Sequence, residues 1–405
     1  MPARYAAWRV AAQIFLLNRL LVLCITCACI FVLPLLISGY TSNIGVDSST
    51  YHTLPSQSLN LLLFSWLHWD AKAYLNISYL GYQRVSDVGF FPLWPLIQYI
   101  GGTLLGGKFP VSYYLAGLLL ANLLSYFDLV MLYHLVAKGY GPAVARRLLF
   151  YFSFSPFALF FFAGYGESLF VLLALGMFLY LQRGRPRDWW LGGLCGLLAT
   201  LTRSAGLILA IPFLVVYLQR FWWPWRPAQR DWRLTCNACL PVILIPSGIL
   251  IYMIYLSVVK GDALLFLHEE DAVWHRYLTF PLLTLWLAFQ AFPRETLPVF
   301  QVENLLNLIA VLIPFALLIR DWRSIPLHYA LFVLGMALFA LSFPTIITQN
   351  EPLLSQPRYM MILFPLTLIL AQWGENPRFD AAFRFLTMFA FTFNVALFVS
   401  NVWVA

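Results

Sequence analysis

Long apolar runs, such as residues 15–37 and residues 305–319 with their flanks, most constrain what this chain can fold into. A helix needs about 20 apolar residues to cross the roughly 30 Å hydrocarbon core of a bilayer. Charged residues make up only 10% of the 405 residues, whereas soluble domains carry about 25%. Too little polar material is left to coat a water-soluble protein, so the sequence predicts an all-α protein that crosses the membrane many times.

The net charge of +8 is explained by membrane topology rather than by a nucleic-acid partner. The basic residues gather in short segments between apolar runs, as the positive-inside rule expects of cytoplasmic loops. Placing every cluster in the cytoplasm predicts about eleven crossings, with the N-terminus inside and the C-terminus outside. The clusters are Arg4/Arg9, Lys138 with Arg146/Arg147, Arg183/Arg185/Arg187, residues 220–233, Arg320/Arg323 and Arg378/Arg384.

The largest outer segment covers residues 40–95 and is the candidate catalytic loop. Residues 66–82 have the apolar spacing of a helix but are not apolar enough to cross, so we expect an interfacial helix there. The recurring positions are Ala71, Tyr74, Leu75, Ser78 and Tyr79. In residues 89–95, two prolines and several aromatic residues predict a re-entrant or interfacial turn.

The remaining outer segments are shorter. Two apolar runs, residues 148–163 and 190–202, are also short for full crossings, and broken spans are tolerated where they line a cavity inside the protein. No internal repeat is present, so we predict one domain over residues 1–405. The shorter outer segments are residues 164–167, the neighbourhood of Arg203, residues 260–280 and residues 348–358.

Charges that remain at membrane depth are the first candidates for chemistry, because each costs about 2.5–3.5 kcal/mol on insertion scales. Asp70 lies beside Trp69 in the predicted interfacial helix. A carboxylate next to a large ring suits a general base, and a bound sugar can stack on the ring. The alternative is a helix N-cap, for which aspartate is a preferred residue.

Three further charges open or interrupt apolar spans on the outer side. Glu167 either complements a helix N-terminus or contacts substrate. Arg203 needs an anionic partner, which could be Glu167 or a ligand phosphate. Arg358 is either an interfacial anchor or a phosphate ligand, since a guanidinium fork matches phosphate geometry.

Residues 267–276 resemble a metal-ligand cluster at first sight. His268 and Asp271, and Asp271 and His275, have spacings that one helix face could present. Such clusters specify a metal only with matching geometry, so a solvated loop is the favoured interpretation. We predict no metal site, and a divalent-metal requirement stays open.

Several motifs occur in the order in which they occur in one enzyme family. They are Trp69-Asp70, Ile77, Gly81-Tyr82, Phe90 to Leu96, Ser155-Pro156, Phe161-Phe162, Tyr165, Glu167 to Phe170, Leu198 to Gly206, Arg358-Tyr359 and Phe364-Pro365. Together, from roughly residue 66 to residue 370, they resemble the GPI mannosyltransferase 2 (PIG-V) family of the GT-C superfamily.

The resemblance implies a GT-C fold, a polyprenyl-phosphate sugar donor, and a catalytic acid in the first outer loop, which Asp70 matches. We also predict substrate-binding roles for Trp69, Tyr165 and Tyr359, together with Glu167, Arg203 and Arg358. Ala205 stands where the family has asparagine, and the large luminal insertions are missing. These departures imply a prokaryotic relative whose acceptor need not be a GPI lipid.

The expected function is therefore transfer of a hexose, most simply mannose, to a lipid-linked or glycolipid acceptor on the extracytoplasmic side. The expected location is the plasma membrane of a prokaryote, or the endoplasmic reticulum membrane of a eukaryote. The alternative is a transporter or flippase of a lipid-linked sugar, which would also need spans and broken helices. The absence of a repeat and the position of the charges at one outer face argue against transport. A membrane scaffold without catalysis is the third interpretation.

Overall fold

A computed structural model describes residues 3–36, 56–222, 232–291, 298–345 and 352–404. In these residues all the regular elements are helical, so the prediction of an all-α protein is confirmed. The α-helices are α1 Ala3–Cys27, α2 Leu33–Leu36, α3 Gln57–Phe64, α4 Asp70–Leu80, α5 Leu93–Leu104, α6 Pro110–Ser153, α7 Glu167–Arg183, α8 Pro186–Thr202, α9 Ala210–Phe221, α10 Trp232–Cys239, α11 Leu244–Lys260, α12 Leu265–Trp274, α13 Pro281–Ala291, α14 Pro298–Asp321, α15 Leu327–Leu341, α16 Gln356–Met361, α17 Phe364–Trp373 and α18 Pro377–Val399.

Within the described ranges, six helical segments are long and apolar enough to cross a membrane. Three shorter apolar helices, α13, α15 and α17, accompany them. The chain is thus a multi-pass membrane protein, while the count of about eleven crossings stays a prediction. The six segments are Tyr5–Leu36, Pro110–Ser153, Ser204–Phe221, Thr235–Lys260, Asn304–Ser324 and Pro377–Val399.

Helix α6 is 44 residues long and is interrupted where the sequence predicts an inner basic turn. Gly141 has a non-helical backbone with φ 84° and ψ 161°, a region that glycine enters without steric cost. Pro142 follows it, and its ring fixes φ and removes a backbone donor. The interruption therefore lies between Lys138 and Arg146, two residues of one predicted cytoplasmic cluster.

The chain groups into two compact units, which are described separately. The first unit contains residues 1–83, 93–172 and 370–404. In it, α1 packs against α6 and α18, and α4 and α5 pack against each other and against α6. Asn18 of α1 donates its Nδ2 hydrogen to the carbonyl of Ser153 at 2.8 Å. The prediction of a single domain stays a prediction.

The second unit contains residues 84–92 and 173–369. In it, α8 packs along α11, and glycines at their contact allow the backbones to approach. A methyl group on Gly193 would lie 2.4 Å from the carbonyl oxygen of Pro241, and one on Gly248 would lie 2.6 Å from that of Leu197. Small residues at such positions are typical of helix contacts in membranes.

The helix predicted in residues 66–82 is present as α4, and four of its five predicted inward positions are buried. The exception is Tyr79, which is 38% exposed and packs its ring against Tyr113. The position of α4 at the membrane interface stays a prediction. The interpretation of residues 267–276 as a loop is wrong for most of the segment, because α12 extends through Leu265–Trp274. The mixed apolar and acidic pattern of this segment is compatible with an exposed helix as well as with a loop.

Candidate functional site

Asp70 is the first residue of α4, and the residue in the N-cap position is Trp69. The alternative in which Asp70 is the N-cap is therefore wrong. Trp69 has φ 45° and ψ −117°, and its side chain makes no capping hydrogen bond. A positive φ at a bulky residue costs on the order of 1–3 kcal/mol and persists only when the surroundings enforce it.

Aromatic packing holds Trp69 in this backbone conformation. The ring centroid of Trp69 lies 5.0 Å from that of Phe398 and 5.0 Å from that of Trp403, in edge-to-face arrangements. Pairs of this kind contribute about 0.5–1.5 kcal/mol beyond area burial. Trp69 and Asp70 both remain partly exposed, so the strained junction presents a ring and a carboxylate side by side.

The residue before them, His68, was given no role by the sequence reasoning. Its side chain is 4% exposed, and neither ring nitrogen has a hydrogen-bond partner among the described residues. Its carbonyl accepts a hydrogen bond from the hydroxyl of Tyr165 at 3.3 Å. Burial, together with the positive charge of Lys72, lowers the pKa of His68 to about 4.

This pKa predicts an acid-sensitive contribution to stability. The ordinary pKa of histidine is 6.5, so between pH 6.5 and about 4 the unfolded chain binds a proton that folded His68 does not. Stability therefore falls as the pH falls through that window, by about 2 kcal/mol at pH 5. We expect His68→Gln to have a flatter profile of apparent Tm against pH than the wild type. Parallel profiles for the two proteins would contradict this account. The difference between the two profiles removes the contribution of the other histidines, which both proteins share.

Tyr165, a predicted substrate-binding residue, is fully buried, so its side chain packs inside the protein. Two side chains fix the turn around it: the indole of Trp94 donates to the carbonyl of Gly164 at 3.1 Å, and Asn122 donates to the carbonyl of Phe162 at 3.3 Å. Glu167 follows as the first residue of α7 and is 2% exposed. A carboxylate in the first turn suits the helix dipole, so both interpretations of Glu167 remain open.

In the second unit the structure brings two predicted site residues together. The guanidinium carbon of Arg203 lies 4.8 Å from the ring centroid of Tyr359, within cation–π distance. Arg203 has an extended backbone at the end of α8, immediately before the 3₁₀ turn Ser204–Leu209. The two residues are far apart in sequence, so spacing alone did not reveal the contact.

Arg358 lies on the short helix α16 and is 8% exposed. Ser355 precedes that helix in the left-handed conformation, with φ 67°. The neighbouring Gln356 donates to the carbonyl of Ala340 at 2.9 Å and so fixes α16 against α15. Asp70 and Arg358 thus both follow shortly after a non-glycine residue with positive φ.

The residues considered as metal ligands form other pairs. His268 Nδ1 lies 2.7 Å from Asp262 Oδ2, so its partner is Asp262 rather than Asp271. Arg276 donates from Nε to Thr345 Oγ1 at 2.8 Å and lies 3.5 Å from Glu270. Across the described part of the chain, no three His, Cys, Asp or Glu residues are grouped to hold a metal ion.

Two charged residues inside the spans were missed by the sequence reasoning. Arg19 lies in α1, and Asp128 lies in α6 with 1% exposure. The argument that the charges lie at one outer face is therefore wrong. The signal was visible, because each charge interrupts a long apolar run.

Comparison with known proteins adds to this geometry. The family model described as mannosyltransferase (PIG-V) matches residues 11–268. The chain is 32% identical over 213 residues to GPI alpha-1,6-mannosyltransferase 2 of Mus musculus, covering 48% of this chain and 41% of the mouse protein. It is 33% identical over 153 residues to the same enzyme of Homo sapiens, covering 36% of this chain and 30% of the human protein. The chain thus spans less than half the length of these relatives.

Among solved structures, the oligosaccharyltransferase of Archaeoglobus fulgidus in its apo form aligns with a TM-score of 0.43 and 11% identity. The alignment covers 96% of this chain and 55% of that chain. A complex of that enzyme with zinc and sulfate aligns with a TM-score of 0.40 and covers 52% of its chain.

Proposed function

This chain belongs to the mannosyltransferase (PIG-V) family, and from that premise we propose that it is a GT-C membrane enzyme that transfers mannose from a polyprenyl-phosphate donor to a glycolipid or other lipid-linked acceptor. The observation that carries the proposal is the strained Trp69–Asp70 junction. It holds a partly exposed carboxylate at the start of α4, inside the matched region.

In the proposed reaction, an acceptor hydroxyl attacks the anomeric carbon of the donor. The bond from that carbon to the phosphate oxygen breaks, and the phosphate leaves with the bonding electrons. Asp70 takes the hydroxyl proton, which is a contribution of about 10²–10⁴-fold. A single displacement inverts the anomeric centre, so a β-linked donor gives an α-linked product.

Arg203 and Arg358 would bind the departing phosphate, because guanidinium groups donate paired hydrogen bonds to phosphate oxygens. The ring of Tyr359 orients Arg203 for this task. Glu167 would position a sugar hydroxyl. We place this chemistry on the extracytoplasmic side. The proposed mechanism includes no resident cofactor, because the arginines supply the positive charge at the phosphate. Measuring transfer with and without EDTA tests for a metal requirement.

The test is a transfer assay with purified protein in lipid. Labelled polyprenyl-phosphate mannose and GDP-mannose are compared as donors over a panel of glycolipid acceptors. We expect labelled product with the lipid donor alone. Product from GDP-mannose in the absence of the lipid donor would overturn the donor assignment.

Transport of a lipid-linked sugar is the second candidate, favoured by the mid-span charges Arg19 and Asp128. A transporter moves the labelled donor across a liposome membrane without forming a new glycosidic bond. Movement of donor without product would establish transport and refute the enzyme.

The contact between Arg203 and Tyr359 gives a graded prediction. Replacing Tyr359 by leucine removes the ring face, and cation–π contacts contribute about 0.5–2 kcal/mol. We therefore expect kcat/KM for the donor to fall by about twofold to thirtyfold. Tyr359→Phe is the matched control, since it keeps the ring. Equal activity of the Leu and Phe variants would show that the ring face has no role.

A further inference from the structure

A small cavity lies within the first unit, beside α1, α6 and the 3₁₀ turn Ala158–Phe161. Its volume is about 20 Å³. A water molecule needs roughly 10–15 Å³ of cavity space, so the cavity is large enough to hold a water. Its polar lining consists of Asn18, Arg19, Ser125, Asp128 and Ser153.

Three of these side chains have buried polar atoms without a hydrogen-bond partner among the described residues. The atoms are Nε of Arg19, both carboxylate oxygens of Asp128 and Oγ of Ser153. Leaving such atoms unsatisfied destabilises the folded protein, most of all where the group is charged. All three residues line the same cavity, which is the arrangement that a bound water requires.

We propose that this cavity is a built water site that joins Arg19 to Asp128. The water accepts a hydrogen bond from Arg19 Nε and donates one to the Asp128 carboxylate and one to Ser153 Oγ. Buried waters make about three such bonds. The bridge gives each intramembrane charge its counter-charge without a direct contact between the two side chains.

Two further bonds of Arg19 extend the site toward the outer turn. Its Nη2 donates to Ser125 Oγ at 2.6 Å and to the carbonyl of Phe161 at 3.3 Å. Phe161 ends the 3₁₀ turn that leads to Tyr165 and Glu167. The water site thus anchors that turn to α1 and α6.

The first test is a high-resolution cryo-EM map of the full chain in a lipid nanodisc. We expect density for one water within hydrogen-bond distance of Arg19 Nε, Asp128 and Ser153 Oγ. An empty cavity, or a direct ion pair between Arg19 and Asp128, overturns the proposal.

The second test is a double-mutant cycle on apparent Tm, using Arg19→Gln, Asp128→Asn and both together. Removing one charge leaves the other buried and uncompensated, which is strongly destabilising, whereas removing both restores neutrality. We expect the double variant to recover most of the Tm that the worse single variant loses. Losses that simply add would show that the two residues are not coupled and would overturn the bridge. If a single variant does not fold, recovery of folded protein in the double variant gives the same answer.

Discussion

Replacing Asp70 by asparagine is expected to lower the rate of mannose transfer by about 10²–10⁴-fold while the protein remains folded. The amide is nearly the same size as the carboxylate but cannot accept the acceptor hydroxyl proton. The loss of a charge from the first turn of α4 costs only about 0.3–1 kcal/mol through the helix dipole. The N-cap is Trp69, so the substitution removes no cap.

The measurement is single-turnover transfer from polyprenyl-phosphate mannose, with apparent Tm recorded for every variant. Asp87→Asn is the matched control. Asp87 lies in the same predicted outer segment and accepts a hydrogen bond from the backbone nitrogen of Arg84 at 2.9 Å. Asparagine keeps an oxygen for that bond, so we expect near-normal transfer. Full activity in Asp70→Asn would refute the general-base assignment, whereas equal losses in both variants would indicate a structural effect.

The sequence predicted the features that depend on local pattern. Apolar run length identified the spans, because the thickness of the bilayer fixes how long a crossing helix must be. Helical spacing identified α4, because four of the five predicted positions face its packed side. The basic cluster at Lys138 and Arg146 marked the interruption of α6, where Gly141 and Pro142 supply the break.

The features that the sequence did not reveal depend on tertiary contacts. The positive φ of Trp69 is imposed by packing against Phe398 and Trp403, far along the chain. The contact of Arg203, at the end of α8, with Tyr359 of α16 joins residues that are far apart in sequence. The polar lining of the Arg19 cavity comes from separate helices, so the spacing of charges within each span carried no information about it.

The glycine of the motif Thr202 to Gly206 provides the second prediction. A methyl group on Gly206 would lie 2.5 Å from the backbone nitrogen of Thr200 and 2.7 Å from the carbonyl carbon of Ala199. These are backbone atoms of α8, which cannot rotate aside as a side chain can. The turn Ser204–Leu209 would have to move away from α8, and Arg203 at its start would move with it.

We therefore expect Gly206→Ala to lower transfer by about 10²-fold, the loss that a 1 Å misplacement can cause, and to lower stability by about 1–3 kcal/mol through overpacking. Gly139→Ala is the matched control, since a methyl group there meets nothing within 4 Å and alanine is the better helix former. Donor affinity separates the two effects: displacement of Arg203 weakens donor binding in Gly206→Ala, while a general loss of stability alone leaves the affinity of the folded fraction unchanged. Normal transfer and donor affinity in this variant would mean that the position of Arg203 is not set by the packing of the turn on α8.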